Sequence, residues 1–288
     1  MHYTVERLKW PMDPNQYEKI YQFLLRCADR GYNEHFHWAR FEWMMHHTYL
    51  DTENLSAVAL FMDDKGEMRG LCTYDTSWGE GAYIVHDTDD EELLHRMVEF
   101  GGKYYFRQII PNKKDAALIR VLEKCRWQED WAGNHVLQMD LSQLPDAPVA
   151  EGFTLSAPDH VLDRLQYQTV IHQGFEDDSE MVPWPDSVFD PPPPHFDTAL
   201  KVFAIRDGKY CAHAGVWYTS GETCYVEPVA TLPECRRKGL ARACLVEGMR
   251  RAKEMGAKRA IVLSGDPFYR STGFVESSFY QDWERIRD

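Results

Sequence analysis

Apolar and polar residues alternate along the chain in two rhythms, which predict strands and helices in succession. Residues 2–8 alternate with the period of a strand, whereas Tyr17, Ile20 and Leu24 recur with the period of a helix. Asp13 and Pro14 before them are typical of a helix start, because Asp caps free N–H groups and Pro fits the first turn. In the first half, the pattern predicts strands at 2–8, 57–62, 68–74, 82–86, 104–110 and 135–141, and helices at 13–27, 36–49, 90–100 and 115–124.

The second half repeats this order of elements. Residues 144–152 contain two prolines and several small residues, which predicts a linker with a domain boundary near residue 148. We therefore expect an internal duplication of about 140 residues, with domains at 1–145 and 146–288. Chance similarity between the halves is the alternative. In the second half, the pattern predicts a strand at 153–156, a helix at 159–172, a hairpin that turns at Asp207 and Gly208, a strand at 223–229 and a helix from Leu240 onward.

The stretch from residue 223 to residue 241 is suited to binding a phosphate group. A run of strand-forming residues ends in a turn that contains Pro233, and an amphipathic helix follows. Free backbone N–H groups converge at such a helix start, where the helix dipole adds partial positive charge. Gly239 allows the backbone to approach a ligand closely. A solvated basic helix start is the alternative explanation.

This stretch resembles the acyl-CoA pyrophosphate loop of the GNAT N-acetyltransferase superfamily, whose pattern is Gln/Arg-x-x-Gly-x-Gly/Ala. Arg236, Gly239 and Ala241 fill the three defined positions. About 30 residues later, Phe268-Tyr269-x-x-x-Gly273-Phe274 resembles the second conserved segment of the superfamily. The resemblance implies acetyl-CoA as co-substrate, bound by Val229, Ala230, Thr231, Arg236, Arg237, Lys238, Gly239, Leu240, Ala241 and Arg242.

The resemblance also implies the fold, a mixed α/β fold with two tandem GNAT-like domains. Each would have a mostly antiparallel central sheet flanked by helices. The turn at residues 86–92 of the first half lacks glycine and carries acidic side chains that would repel a pyrophosphate. We therefore expect the first domain to be a degenerate copy that binds no acyl-CoA in this manner.

Acyl transfer to an amine needs a base, an oxyanion donor and an acid. By resemblance, the Val229 N–H is the oxyanion donor and the Tyr269 hydroxyl is the acid. Glu227 is the candidate base; two residues before Val229 on one strand, it is expected to face the same side. Alternatives remain open, because Glu227 can instead pair with an Arg, water alone can serve as base, and Tyr269 can be a core residue. The segment before Tyr269 is shorter than in many relatives, so its helix is expected to have a single turn.

The acceptor site is expected in the acidic and aromatic stretch at residues 174–195, which forms part of that site in the superfamily. Its candidate substrate residues are Asp178, Glu180 and Trp184. Carboxylates and aromatic rings suit a cationic amine through ion pairing and cation–π contact. An acidic surface loop held by its prolines is the alternative.

Composition narrows the class of protein. The formal net charge of −14 disfavours a nucleic-acid partner and is compatible with a cationic small molecule. The sequence has no long apolar run and no apolar segment after its first residues, so we expect a cytoplasmic protein without a membrane partner. Seven Cys without a Cys-x-x-Cys pair argue against a zinc site or a disulfide framework. His35, His37, His46 and His47 cluster, but no metal site is predicted from them.

Two function classes remain at this stage. The first is an acyl-CoA-dependent N-acetyltransferase that acts on a small-molecule amine through its second half. The second is a non-catalytic acyl-CoA-binding or interaction protein that retains the fold. The sequence leaves open the acceptor, the acyl chain and the choice between monomer and homodimer.

Overall fold

The computed structural model describes residues 2–46, 50–104, 107–176, 179–184 and 193–286. By internal packing, the chain divides into two units. The first comprises Met1–Val136, Leu263–Gly265 and Glu276–Asp288, and the second comprises Leu137–Val262 and Asp266–Val275. These limits differ from the expected ones at 145 and 146, because the strand before the linker passes from one unit into the other and the last segment packs with the first unit.

Helices and strands alternate through both units, as the pattern predicts. The strands are β1 (Thr4–Arg7), β2 (Ala59–Met62), β3 (Met68–Thr73), β4 (Tyr83–His86), β5 (Gln108–Ile109), β6 (Trp127–Asp140), β7 (Thr154–Leu155), β8 (Lys201–Arg206), β9 (Lys209–Trp217), β10 (Thr223–Thr231), β11 (Arg259–Val262) and β12 (Val275–Arg285). The helices are α1 (Pro14–Cys27), α2 (Trp38–Met45), α3 (Glu91–Tyr104), α4 (Ala116–Lys124), α5 (Arg164–Gly174), α6 (Leu240–Met255) and α7 (Pro267–Thr272).

The first unit is built on a sheet in which β1, β2, β3 and β4 are antiparallel neighbours in that order. A parallel bridge between Ala82 and Ile109 joins the start of β4 to β5, and β5 pairs antiparallel with β12. Asp13 caps α1 with Pro14 in its first turn, as predicted. Ile20, Phe23 and Leu24 on the inner face of α1 are almost completely buried.

In the second unit, the last residues of β6 pair with β11, and the order continues through β10, β9 and β8 to β7. Neighbours are antiparallel except β10 and β11, which are parallel. Helix α5 covers one face, where Tyr167 contacts the rings of Phe203 and His213. Helix α6 covers the other face, where a Cβ added to Gly248 would meet Val216 and Val202. The alternation of side chains along β8 and β9 therefore separates the two layers.

Some predicted elements differ from the observed ones. The strand predicted at 104–110 is wrong over its first residue, because α3 continues to Tyr104 and β5 contains only Gln108 and Ile109. The helix predicted at 36–49 is a 3-10 turn at Glu34–Phe36 followed by α2, and residues 47–49 lie outside the described part. Helix α5 starts later than expected, at Arg164 after its cap Asp163. Propensity patterns place elements better than they place element ends.

Within the described residues, no helix combines the length and apolar character that a membrane crossing requires.

Candidate active site

The site is organised by β10, which separates from β11 after its first three residues. The two strands pair in parallel only from Thr223 to Tyr225, opposite Arg259 to Ile261. Past Tyr225, β10 continues to Thr231 while β11 ends at Val262. Among the described strands, none therefore pairs with this edge of β10 beyond Tyr225.

The backbone groups of Val229 and Thr231 point toward this open edge. On the other side, Val229, Ala230 and Thr231 lie opposite Ala214, His213 and Ala212 of β9. Just beyond, the Leu232 N–H donates to the carbonyl of Cys211 at 3.0 Å. Hydrogen-bonded and non-bonded pairs alternate along an antiparallel ladder, so Ala230 bonds to β9 whereas Val229 and Thr231 turn outward. Ala230, one of the predicted cofactor residues, thus directs its N–H away from the open edge.

A bulge interrupts β10 immediately before these residues. The register against β9 shifts between Val226 and Val229, which leaves Glu227 and Pro228 without regular partners. The Glu227 carbonyl accepts a hydrogen bond from the Trp217 Nε1–H at 2.8 Å. It also approaches Gly215 so closely that an added Cβ there would lie 2.3 Å from the carbonyl oxygen. Glycine at position 215 is what allows the bulge to sit against β9.

The bulge corrects one expectation about Glu227. Val229 lies opposite Ala214, on the face of the sheet covered by α6. The Glu227 carboxylate accepts a hydrogen bond at 2.5 Å from Tyr225, which lies opposite Trp217 on the face covered by α5. The extra residue resets the alternation of side chains, so Glu227 and Val229 do not share a face. Glu227 therefore faces the α5 layer, where the acceptor residues are expected.

The turn after β10 presents backbone N–H groups at the start of α6. Arg236 is extended, while Arg237 and Gly239 adopt left-handed conformations with φ of 58° and 74°. Gly239 is the N-cap of α6 and contributes no side-chain cap. Among the described residues, no acceptor bonds to the backbone N–H groups from Arg237 to Arg242. A Cβ added to Gly239 would meet nothing within 4 Å, so the left-handed turn rather than lack of space requires glycine here.

The basic side chains of the turn fall into two groups. The Arg236 guanidinium is already bonded within the protein, to the carbonyls of Gly174 and Thr231 and to the Glu176 carboxylate. The Lys238 ammonium donates to the Glu234 carbonyl at 2.8 Å. Arg237 is exposed, and the buried Nε of Arg242 has no partner among the described residues. Leu240 is buried, and Ala241 keeps the helix start narrow.

Tyr269 lies on α7, whose ends are set by local sequence. Asp266 caps the helix by accepting from the Phe268 N–H at 2.7 Å, and Gly273 ends it in a left-handed conformation. Helix α7 spans Pro267–Thr272, which is longer than the expected single turn. Burial and the nearby negative charge of Glu227 raise the pKa of Tyr269 above its ordinary value, with a smaller effect from Asp266. The hydroxyl is therefore protonated near neutral pH.

The acceptor residues predicted from sequence are only partly visible. Trp184 packs edge-on against Tyr167 of α5, with 5.8 Å between ring centroids, and its backbone N–H donates to Gln168 Oε1. Glu180 is exposed. Asp178 lies outside the described residues.

Sequence reasoning missed Tyr225, which bonds to the Glu227 carboxylate, Trp217, which bonds to the Glu227 backbone carbonyl, and Tyr167 of α5. The negative charge of Glu227, after burial, raises the pKa of Tyr167, so the two groups lie near each other. Only the spacing of Tyr225 and Glu227, two apart on a predicted strand, carried a local signal. The described residues contain no group of His, Cys, Asp and Glu side chains arranged to hold a metal ion.

The equivalent region of the first unit is closed by its own side chains. Past the bridge at Ala82, the buried Nε2 of His86 at the end of β4 lies 2.5 Å from the buried carboxylate of Asp115. Asp115 also caps α4. At the start of α3, the Asp90 carboxylate accepts from the Glu92 N–H at 2.9 Å, which is where a phosphate would otherwise bind.

Known proteins share this architecture. Residues 166–274 match the family profile described as Acetyltransferase (GNAT) family. No curated protein matches the sequence significantly.

Similar solved structures extend the likeness to the whole chain. A GCN5-related N-acetyltransferase from Sphaerobacter thermophilus has 15% identity and a TM-score of 0.59, covering 99% of this chain and 96% of that chain. A tandem GNAT protein from the clavulanic acid biosynthesis pathway has 12% identity and a TM-score of 0.57, with 100% of both chains covered. A GCN5-related N-acetyltransferase from Kribbella flavida has 17% identity and a TM-score of 0.50, covering 81% and 88%. Residues 166–274 of the second unit therefore match the GNAT acetyltransferase family, and the chain as a whole has the fold of a tandem GNAT protein.

Proposed function

We propose that the second unit transfers an acetyl group from acetyl-CoA to the amine of a small cationic molecule. The observation that carries the proposal is the open edge of β10 leading directly into a turn of unbonded N–H groups. An extended pantetheine arm fits such an edge as an added strand does, and a pyrophosphate fits the N–H groups and the positive end of α6. Arg237 and Arg242 add positive charge beside the turn.

Bound acetyl-CoA supplies the acetyl group as a thioester that an amine can attack. The outward N–H of Val229 donates a hydrogen bond to the thioester oxygen as negative charge develops on it. The Glu227 carboxylate accepts the amine proton, directly or through a water molecule. The Tyr269 hydroxyl donates a proton to the departing thiolate.

The acceptor is expected to be cationic and to carry an apolar or aromatic part. Glu227 faces the layer of α5, where the half-buried Trp184 packs edge-on against the buried Tyr167. Aromatic rings beside a carboxylate favour a cation, and the net charge of −14 attracts one from solution. Glu180 is an exposed carboxylate of the same segment. We further propose a cytoplasmic location, because all seven cysteines are free thiols.

One observation favours the second candidate function, a protein that binds acyl-CoA without catalysis. The Glu227 carboxylate already accepts a hydrogen bond from Tyr225, which competes with its use as a base. A catalytic role requires that the Tyr225 hydroxyl orients the Glu227 carboxylate and leaves it able to accept a proton. Activity measurements separate the two functions.

The test is release of CoA thiol from acetyl-CoA in the presence of a panel of small amines, with the Glu227→Gln variant in parallel. We expect amine-dependent thiol release, reduced about 100-fold in the variant by loss of the base. The variant should bind acetyl-CoA as the wild type does, because the carboxylate makes no cofactor contact. Acetyl-CoA binding without thiol release for any amine, in both proteins, would instead support the non-catalytic function.

A further inference from the structure

Helix α5 ends in an unusual way next to the cofactor turn. Its last residue is Gly174, and Glu176 then adopts a left-handed conformation with φ of 57°. This conformation suits glycine and strains other residues unless the surroundings hold it in place. Glu176 is mostly exposed, so core packing is not what holds it.

The Arg236 side chain accounts for the position of Glu176. Its guanidinium pairs with the Glu176 carboxylate and donates to the Gly174 carbonyl at 2.9 Å. Its Nε also donates to the Thr231 carbonyl at 3.4 Å, on the open edge of β10. The negative end of the α5 dipole favours a cation at this place.

The end of α5 is seated directly on β10. A Cβ added to Gly174 would lie 2.7 Å from the Ala230 Cβ and 3.1 Å from the Thr231 N. Arg236 therefore joins three backbone segments at one point: the end of α5, the open edge of β10 and the first residue of the cofactor turn.

We propose that Glu176 and Arg236 form a positioning pair that holds the turn in its ligand-binding shape. The Arg236 guanidinium then holds the backbone of the turn in place and is not a ligand of the pyrophosphate. The phosphates are bound by the backbone N–H groups together with Arg237 and Arg242. The strained left-handed backbone at Glu176 is retained because its carboxylate holds the Arg236 side chain in position. This inference rests on the proposed cofactor site. Preorganised donors bind a ligand more tightly, because less ordering is required on binding.

Four variants and one matched control test the pair: Glu176→Gly, Glu176→Gln, Arg236→Gln, the double variant Glu176→Gly with Arg236→Gln, and Asp207→Gly. Asp207 is also left-handed, with φ of 51°, but lies in the hairpin between β8 and β9. The measurements are the melting temperature without ligand and the Kd for acetyl-CoA by calorimetry.

Glycine relieves the strain at both positions, so Glu176→Gly and Asp207→Gly should each raise the melting temperature by about 2 °C. Only Glu176→Gly should weaken acetyl-CoA binding, by about tenfold. Glu176→Gln should weaken binding without the gain in melting temperature. Arg236→Gln should weaken binding about as much as Glu176→Gly, and the double variant should lose no more, because the two side chains act as a unit.

Unchanged acetyl-CoA affinity in Glu176→Gly would overturn the pair. A larger loss in Arg236→Gln that adds to the Glu176→Gly loss would also overturn it, and would assign Arg236 to the phosphates. If the wild type itself binds no acetyl-CoA, the proposed cofactor site fails, and the pair has no role in binding.

Discussion

Tyr269 and Glu227 show how one carboxylate can set the protonation of a neighbouring group. Burial and the Glu227 charge both raise the pKa of Tyr269. The same charge acts on Tyr167, and Tyr225 donates to it directly. The Glu227 charge therefore acts on three tyrosines, and of these Tyr269 lies in the stretch that resembles the superfamily's second segment. Its role can be isolated by removing a single oxygen.

Tyr269→Phe should lower the rate of amine-dependent thiol release by about 100-fold, because the departing thiolate loses its proton donor. The Kd for acetyl-CoA should stay within about twofold, since the ring remains in place. The control is Tyr74→Phe, which removes a buried hydroxyl of the first unit that bonds to the Asp51 carbonyl. That variant should lose about 1 kcal/mol of unfolding free energy and no activity. Equal activity losses in both variants would contradict the role of Tyr269.

His35 and His213 make stability depend on pH. Both are buried, and burial lowers the pKa of each to about 3. Below the ordinary pKa of about 6.5, these two histidines bind protons in the unfolded chain but stay neutral in the folded protein. Stability is therefore full above about pH 6.5 and falls as the pH drops toward 3, by about 2 kcal/mol per histidine at pH 5.

His35→Phe should flatten this acid branch. The His35 ring lies between the rings of Tyr83 and Tyr280, so Phe replaces it with an aromatic ring that cannot be charged. Urea unfolding at pH 7 and pH 5 measures how much unfolding free energy is lost between the two pH values. This loss should be about 2 kcal/mol smaller in the variant than in the wild type. An unaltered pH dependence in His35→Phe would mean that His35 is charged in the fold.

At the scale of elements, the turn between β10 and α6 combines a local sequence signal with strain. Gly239 is glycine because φ is 74°, and Gly208 in the β8–β9 hairpin is glycine for the same reason, with φ of 77°. A Cβ at either position would meet no atom within 4 Å. The two glycines therefore differ in location alone, which makes them a matched pair.

Gly239→Ala and Gly208→Ala should each lower the unfolding free energy by about 1 kcal/mol, the cost of a left-handed alanine. Only Gly239→Ala should weaken acetyl-CoA binding, because the strain falls on the N–H groups of the cofactor turn. Urea unfolding and calorimetry measure the two effects separately. Equal acetyl-CoA affinity in the two variants would remove the turn from the cofactor site.

Sequence predicts the elements that depend on local chemistry. The start of α1 at Asp13 and Pro14 and the turn at Asp207 and Gly208 follow from residue types at fixed offsets. The bulge at Glu227 and Pro228 was missed, although a proline inside a predicted strand signals one. As a consequence of the bulge, the Glu227 side chain faces α5. This orientation depends on how β10 pairs with β9, which no local sequence pattern encodes.

Other parts of the site arise from contacts distant in the chain. Arg236 matches a family position by sequence, but its bonds to Gly174 and Glu176 require α5 to end beside β10. Glu176 and Arg237 are left-handed without being glycine, so no residue type announces them. Tyr167 approaches Glu227 only through the packing of α5 on the sheet. Such features follow from tertiary structure, which overrides local preference.

At the scale of the whole molecule, two units with a similar order of elements differ where a cofactor would bind. In the second unit, β10 and β11 separate, and among the described residues nothing accepts from the N–H groups of the turn before α6. In the first unit, His86 and Asp115 fill the corresponding place, and Asp90 occupies the start of α3. We therefore propose that one unit binds acetyl-CoA and that the other is a degenerate copy.

The most direct test is calorimetric titration of acetyl-CoA into the full chain, the Gly239→Glu variant and a Gly208→Glu control. The account predicts one acetyl-CoA per chain in the wild type and in Gly208→Glu, and no binding in Gly239→Glu, whose carboxylate repels the pyrophosphate. Two bound molecules per chain would show that the first unit also binds. Undiminished binding in Gly239→Glu, or none in the wild type, would contradict the assignment of the turn as the cofactor site.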